Sequence, residues 1–169
     1  MPRYVDQLQP EDARELLRIL CKEDAKLATR IENMAKVLIS DIRQDEVTDE
    51  VYRVLERLDV NDLYARSGKT HFGYVEPVEA AYRMVEEALE PFAERVRKLR
   101  KLALLPEART VALGLTEGVI RFSRESMTEF SEWAQDDPLE WLGGWLMDWE
   151  KECVNEEQEC IREIKLLLK

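Results

Sequence analysis

Residues 77–103 read PVEAAYRMVEEALEPFAERVRKLRKLA, and their apolar positions recur every three or four residues without a slip. This spacing places one apolar stripe along a single face of an α-helix. Pro91 lies inside the stripe and removes a helical hydrogen bond, yet the stripe keeps its phase on both sides of it. We therefore predict one long helix with a kink at Pro91. The stripe consists of Val78, Tyr82, Val85, Leu89, Phe92, Val96, Leu99 and Ala103.

Shorter segments with the same period precede this stretch. Pro10 is a favourable first residue for a helix, and Asp24 and Thr48 are suited to begin two more. The segment after Asp24 carries the apolar stripe Leu27, Ile31, Met34, Leu38 and Ile42. We therefore predict helices that are each apolar on one face in this part of the chain.

Two further helices are predicted downstream, the first of them opening at Pro106. Its predicted buried face consists of Val111, Leu115, Val119 and Phe122. Pro138 and the acidic residues around it begin a last helix over residues 138–168, in which Gly143 and Gly144 are the weakest positions. No segment alternates apolar and polar residues with period two, so we expect essentially no sheet.

Residues 67–77, SGKTHFGYVEP, interrupt the helical pattern with two glycines and a proline, which predicts a loop or hinge. Elsewhere helix-forming residues dominate, since Ala, Leu, Glu, Lys and Arg supply half of the 169 residues. A chain of this length forms about one domain. We predict a single all-α domain over residues 1–169, built of antiparallel helical hairpins. Its six or seven helices would form a bundle or a short helical-repeat array.

Charge and composition exclude several classes of function. The net charge of −11 argues against nucleic acid and anionic membranes as ligands, because both repel an acidic surface. The apolar runs are far too short to cross a membrane, and the first residues lack the apolar core of a secretory signal. Cys21, Cys153 and Cys160 do not have the spacing of a disulfide framework. We expect a soluble, cytoplasmic protein with reduced cysteines.

The most unusual local feature of the sequence is a group of four tryptophans within residues 133–149. Three of them, Trp141, Trp145 and Trp149, recur every four residues and so share one helix face. Two interpretations stay open. The rings pack against the preceding helices, or they form a partner-binding ridge, since tryptophan is enriched at the energetic centres of interfaces. We take Trp141, Trp145 and Trp149 as the candidate partner-binding residues.

Two sets of carboxylates also have helical spacing. They are Glu125, Glu129, Glu132 and Asp136, and Glu152, Glu156, Glu159 and Glu163. Turned inward, such a stripe could hold Mg²⁺ for phosphate chemistry, as in all-α nucleotide phosphohydrolases. Turned outward, it is solvated surface. We favour the second interpretation, because the paired Glu-x-x-Glu and Glu-x-x-Asp spacing of those enzymes is not met. We therefore predict no metal and no other cofactor.

Two cationic features complete the set of candidates. Residues 95–101, RVRKLRK, carry five positive charges. This run is suited to an acidic partner or RNA, but it is also expected on the solvated side of its helix, where it would partly neutralise the acidic C-terminal segment. His71 is the single histidine, which excludes a zinc site with several histidine ligands.

Residues 10–35 contain Leu16-Leu17, a Lys22-Glu23-Asp24 turn, Leu27 and Arg30-Ile31. In these features the segment resembles a helix pair from prokaryotic proteins that carry a SWIM-type zinc finger beside a helical-repeat region. The Cys-x-Cys and Cys-x-His pairs of the finger are absent, so zinc and DNA binding do not carry over. The resemblance implies a helical protein-interaction region.

Together these features favour a non-catalytic helical protein-interaction or scaffold module. Its partner would be another protein or a second copy of the chain, as in a homodimer. The alternative is a magnesium-dependent all-α phosphohydrolase acting on nucleotides, with the carboxylates from Glu125 to Asp136 as candidate ligands. A third interpretation is an accessory subunit that contacts nucleic acid through residues 95–101.

Overall fold

The computed structural model describes residues 4–70, 73–134 and 136–168. In these ranges it contains nine α-helices, two short 3-10 helices and one two-stranded antiparallel sheet. The all-α prediction is therefore confirmed, with more helices than the six or seven expected. Within the same ranges, no helix has both the length and the apolar character needed to cross a lipid bilayer.

The α-helices are α1 (Pro10–Glu23), α2 (Ala25–Ser40), α3 (Gln44–Glu56), α4 (Val60–Arg66), α5 (Pro77–Lys101), α6 (Leu105–Glu125), α7 (Glu129–Trp133), α8 (Asp137–Glu152) and α9 (Gln158–Leu167). The sheet pairs β1 (Gly68–Thr70) with β2 (Gly73–Val75). The 3-10 helices are Tyr4–Gln7 and Asn155–Glu157.

The chain divides into two compact units, Met1–Asp41 and Ile42–Lys169. The first unit contains the hairpin of α1 and α2, which are joined through Asp24. As the sequence predicts, Asp24 caps α2: its carboxylate accepts hydrogen bonds from the backbone N–H groups of Lys26 at 2.8 Å and Leu27 at 3.1 Å. None of the described residues of α1 or α2 is buried. The hairpin therefore has no core of its own.

The second unit contains the hydrophobic core, with α6 at its centre. α6 packs against α3, α5, α8 and α9. The predicted members of its buried face are all enclosed: Val111, Leu115, Val119 and Phe122. Ala108 and Ala112 of the same helix are buried as well, together with Gly114 and Gly118. Because these residues are small, neighbouring helices approach α6 from several sides.

α3 and α6 come closest at two glycines of α6. A Cβ atom added at Gly114 would lie 2.7 Å from Cβ of Val47, and one added at Gly118 would lie 2.6 Å from Cβ of Val51. Both distances are well below the separation at which carbon atoms attract one another. The two glycines are four residues apart and lie on one face of α6. The valines of α3 therefore fill the space that α6 side chains would otherwise take.

α5 runs unbroken from Pro77 to Lys101 with Pro91 inside it, as the phase of its stripe predicts. The buried members of the stripe are Val85, Leu89, Phe92, Val96 and Leu99. The two ends of the stripe differ from the prediction. Val78 is exposed, and Ala103 lies beyond the helix in the left-handed conformation, with a φ of 55°. The helix is buried only along the part that faces the other helices of the unit.

The region predicted as a loop or hinge, residues 67–77, contains the small sheet. Gly68 pairs with Val75 and Lys69 with Tyr74. Each strand has three residues, which is too short for a period-two pattern to be recognisable in the sequence. Gly68 has a φ of 84°, which glycine adopts at little cost and which turns the chain out of α4.

The predicted last helix over residues 138–168 is two helices. α8 ends at Glu152, a 3-10 helix follows, and α9 begins at Gln158. Gly143 and Gly144 lie inside α8, so the break does not occur where helix propensity is weakest. It occurs where a buried glutamate of this segment binds an arginine of α5, as described below.

Gly118→Ala should lower the free energy of unfolding by about 2–3 kcal/mol, because the added methyl group would overlap Val51 and the backbone oxygen of Thr48. Gly144→Ala is the matched control. Nothing lies within 4 Å of a Cβ atom added there, and alanine favours a helix over glycine by about 1 kcal/mol. Chemical denaturation measures both effects. Equal stability of the two variants would contradict the close contact between α3 and α6.

Candidate interaction surfaces

The tryptophan ridge lies on α8, and the protein itself covers most of it. Trp141 and Trp149 are 6% and 4% exposed and belong to the core, whereas Trp145 between them is half-buried. The rings of Trp141 and Trp145 stack with 6.3 Å between their centroids, and the rings of Trp145 and Trp149 are 5.2 Å apart. This geometry favours the packing interpretation for Trp141 and Trp149. Of the three rings, a partner reaches chiefly the exposed part of Trp145.

A buried ion pair connects α5 to the segment between α8 and α9. The guanidinium group of Arg100 binds both carboxylate oxygens of Glu157, which is only 5% exposed. Glu157 also accepts hydrogen bonds from Trp149 Nε1 at 3.2 Å and from the backbone N–H of Val154 at 2.9 Å. Arg100 donates further to the carbonyl oxygen of Glu152 at 3.3 Å. The buried carboxylate is therefore satisfied by three different donor groups.

These hydrogen bonds keep Glu157 ionised. Burial by itself raises the pKa of a carboxyl group. Here the hydrogen bonds from Arg100, Val154 and Trp149, with the positive charge of Arg100, outweigh burial and lower the pKa of Glu157 from its ordinary value of 4.5. The ion pair with Arg100 is therefore intact at neutral pH.

The sequence analysis missed Glu157, which belongs to neither carboxylate stripe. A local signal for it exists, because Glu157 follows Val154 by three residues. At this spacing a glutamate can accept a hydrogen bond from the residue that precedes a helix. This spacing indicates a cap only where a helix begins. The sequence predicts one continuous helix over residues 138–168, so no helix start is expected near Val154. The break is specified by Arg100, which lies 57 residues away in the sequence.

The two carboxylate stripes are distributed over separate elements. Members of the first stripe lie in α6, in α7 and just before α8, and members of the second lie in α8, a 3-10 helix and α9. Glu125 pairs with Arg121 at 3.0 Å, and Glu163 pairs with Arg109 at 2.5 Å. Within the residues that the structure describes, no three Asp, Glu, Cys or His side chains are grouped so that they could share a metal ion. This geometry adds no support to a magnesium site at either stripe.

The basic run in residues 95–101 is partly neutralised within the protein. Three of its cations form ion pairs: Arg97 with Glu90, Lys98 with Glu94, and Arg100 with Glu157. The last of these pairs joins the basic run to the acidic C-terminal segment, as the sequence leads us to expect. Ionic contacts inside the chain therefore account for part of the positive charge.

The three cysteines lie in α1, directly after α8 and in α9. Cys21, Cys153 and Cys160 are free thiols. Burial raises the pKa of the Cys160 thiol to about 11, so this side chain stays protonated at neutral pH and acts as a small apolar group. His71 lies outside the residues that the structure describes.

An exposed apolar surface runs along α2 in the first unit. Met34, Val37 and Leu38 are 57%, 69% and 77% exposed. They line a shallow groove of about 560 Å³ together with Lys26, Thr29, Arg30 and Asn33, and we call these seven residues the α2 face. The sequence predicts Met34 and Leu38 as part of the apolar stripe of this helix. The predicted stripe is half-buried at Leu27 and Ile31 and exposed at Met34 and Leu38, and its last member, the half-buried Ile42, lies beyond the end of α2.

The apolar surface of α1 is also incompletely covered. Leu16, Leu17 and Ile19 are 38%, 47% and 43% exposed. Isolated helices of this length derive most of their stability from packing of an apolar face. Two helices that meet along one side leave their remaining apolar residues in water, and contiguous exposed apolar residues are typical of interaction sites. The α1–α2 hairpin therefore has the properties of an incomplete helical bundle.

Comparison with known proteins gives a partial similarity to an enzyme. No family model matches the chain, and no solved structure matches it. Over 111 residues, which are 64% of the chain, it is 34% identical to the threonylcarbamoyladenosine tRNA methylthiotransferase MtaB of Bacillus subtilis (strain 168). The chain spans 22% of the length of that enzyme. A similarity of this extent does not assign the chain to a family.

Replacing the tryptophans one at a time should separate the two parts of the ridge. Trp141→Gln should lower the free energy of unfolding by about 3 kcal/mol or more, because a polar group replaces a buried indole ring. Trp145→Gln should cost about 1 kcal/mol, since its ring lies partly in water. Chemical denaturation measures both changes. If Trp145→Gln proves as destabilising as Trp141→Gln, the smaller burial of Trp145 is contradicted.

Glu157→Gln should lower the free energy of unfolding at neutral pH by about 3 kcal/mol, because it leaves Arg100 without its buried anion. The folded-state pKa of Glu157 lies below its ordinary value of 4.5, so this stabilisation is complete above that pH and is lost as the pH falls through the folded-state pKa. Denaturation of both proteins between neutral and acidic pH should show their difference shrinking below pH 4.5.

Glu163→Gln is the control for that experiment. Glu163 and Arg109 form an ion pair that is 41% and 50% exposed, so its loss should cost less than about 1 kcal/mol. A constant difference between wild type and Glu157→Gln across the whole pH range would contradict the ionised state of Glu157.

Proposed function

We propose that the protein is a non-catalytic helical protein-interaction module that binds its partner through the α2 face. The observation that carries this proposal is the exposure of Met34, Val37 and Leu38 in a hairpin that has no buried residue of its own. A partner that covers these side chains removes apolar surface from water, which is the main favourable contribution to most protein association.

The α2 face supports this role better than the tryptophan ridge does. Contact with Trp141 or Trp149 requires the core of the second unit to open, since both rings are almost fully covered. The side chains of the α2 face are accessible as they stand. Its rim carries Lys26 and Arg30, and a polar rim around an apolar centre is the usual arrangement in protein interfaces.

The remaining interpretations have less physical support. The B. subtilis relative is named for an activity on tRNA, but the similarity covers a minor part of that enzyme and the net charge of −11 opposes binding to RNA. Three free cysteines agree with a reducing compartment such as the cytoplasm. We therefore propose a cytoplasmic protein partner and neither RNA nor a membrane.

Site-specific photo-crosslinking in the cells that make the protein tests this function. A photoreactive amino acid in place of Val37 should give a discrete adduct of higher mass, because this side chain lines the α2 face and is 69% exposed. The same amino acid in place of Glu32 is the control, since Glu32 is exposed and lies on the opposite side of the same helix. Gel electrophoresis and mass spectrometry identify the products. Equal yields from both positions, or no adduct from position 37, would refute the proposal.

A further inference from the structure

The order of charges along the α2 face indicates which partner it fits. Lys26 and Arg30 lie at its N-terminal end, and Met34 and Val37 follow. Asp41 is the C-cap directly after α2, and its backbone N–H donates to the carbonyl oxygen of Val37, which places it one turn after Val37. The α2 face together with Asp41 therefore reads positive, apolar, negative along the helix. Within the described part of the chain, neither Lys26 nor Asp41 forms an ion pair.

This order is complementary to itself when two copies of the helix run antiparallel. With the symmetry axis between Asn33 and Met34, Lys26 of each copy lies opposite Asp41 of the other. Arg30 then lies opposite Val37, where its aliphatic stem can cover apolar surface while the guanidinium reaches water. Met34 contacts its neighbours at the centre. A two-fold interface of this kind uses the same patch on both subunits.

Net charge also favours approach through the first unit. Residues 1–41 contain seven basic and eight acidic residues, whereas residues 42–169 contain 18 basic and 28 acidic residues. Two copies that meet through the second unit bring two strongly negative surfaces together, which opposes association. Two copies that meet through the nearly neutral first unit do not meet this repulsion.

We infer that the occupant of the α2 face is the α2 face of a second copy, in an antiparallel homodimer with Lys26 opposite Asp41. This inference rests on the proposed interaction function and names its partner. The pairing converts two hairpins into a four-helix arrangement in which the exposed residues of α2 become a shared core. The contact is small, so the dimer should be in concentration-dependent equilibrium with the monomer.

Charge exchange at the two ends of the face tests the register. Sedimentation velocity of the full chain, over a wide range of concentrations, should show a monomer–dimer equilibrium for the wild type. Lys26→Asp and Asp41→Lys should each weaken the dimer by about tenfold or more, because each change acts twice in a symmetric interface. The double variant, Lys26→Asp with Asp41→Lys, should restore wild-type dimerisation.

These substitutions keep the helix intact. An acidic residue in the first turn and a basic residue at the C-terminal end both interact favourably with the helix dipole, so weaker association of a single variant does not reflect fraying of α2. Circular dichroism of each variant verifies this. Glu32→Lys makes the same charge change as Asp41→Lys on the opposite side of the helix and should leave the dimer unchanged.

The outcomes distinguish this inference from the proposed function. A wild-type chain that stays monomeric, or a dimer that is indifferent to both single charge changes, overturns the antiparallel α2 pairing. If the crosslink from position 37 then joins the chain to a different protein, the interaction function stands and only the second copy is wrong. An adduct of twice the mass of the chain, joined through α2 of both copies, supports the homodimer.

Discussion

The contact between Gly114 and Gly118 of α6 and the valines of α3 is the constraint on which the second unit depends. Because α6 contributes no side chain at these two positions, Thr48 of α3 comes near enough to donate a hydrogen bond to Glu117 at 3.2 Å. α3 packs against the side of α6 that carries the two glycines, and α5, α8 and α9 pack against its other sides. A single helix rich in small residues thereby serves as the centre of the unit, and the larger apolar residues come mainly from its neighbours.

The ion pair between Arg100 and Glu157 has a comparable role at the C-terminal end. A single helix over residues 138–168 would be about 46 Å long, whereas α6 is about 31 Å long at the same rise per residue. Dividing that segment lets both α8 and α9 pack against α6. The break takes a carboxylate out of water, and three donor groups offset the cost of its burial. One carboxylate of this acidic segment, that of Glu157, therefore has a structural role.

The two units differ in how much of their apolar surface is buried. The second unit encloses its apolar residues and carries most of the negative charge. The first unit is nearly neutral and leaves Met34, Val37 and Leu38 in water. A hairpin of this composition is suited to association, because neither a complete core nor charge repulsion opposes it. In the interaction function that we propose, specificity depends on the order of charged and apolar side chains along one helix face.

The helices, their apolar faces and several of their ends follow from relations between residues that are close in the sequence. The stripe of α5, the cap at Asp24 and the start of α6 near Pro106 all depend on residues within a few turns of one another, and such local relations are visible in the sequence. Which of the apolar residues are buried depends instead on how the helices pack against one another. Trp141 is covered and Leu38 is not, although both lie on regular apolar stripes. Burial depends on a partner element that is distant in sequence.

The same reason explains the features that sequence analysis missed. Gly114 and Gly118 of α6 matter because α3 packs directly against them, and Glu157, which lies between α8 and α9, is buried where Arg100 of α5 binds it. Periodicity shows that a helix has an apolar face, but it does not show what covers that face. For α2, the proposed partner is inferred from the order of charged and apolar residues along the helix.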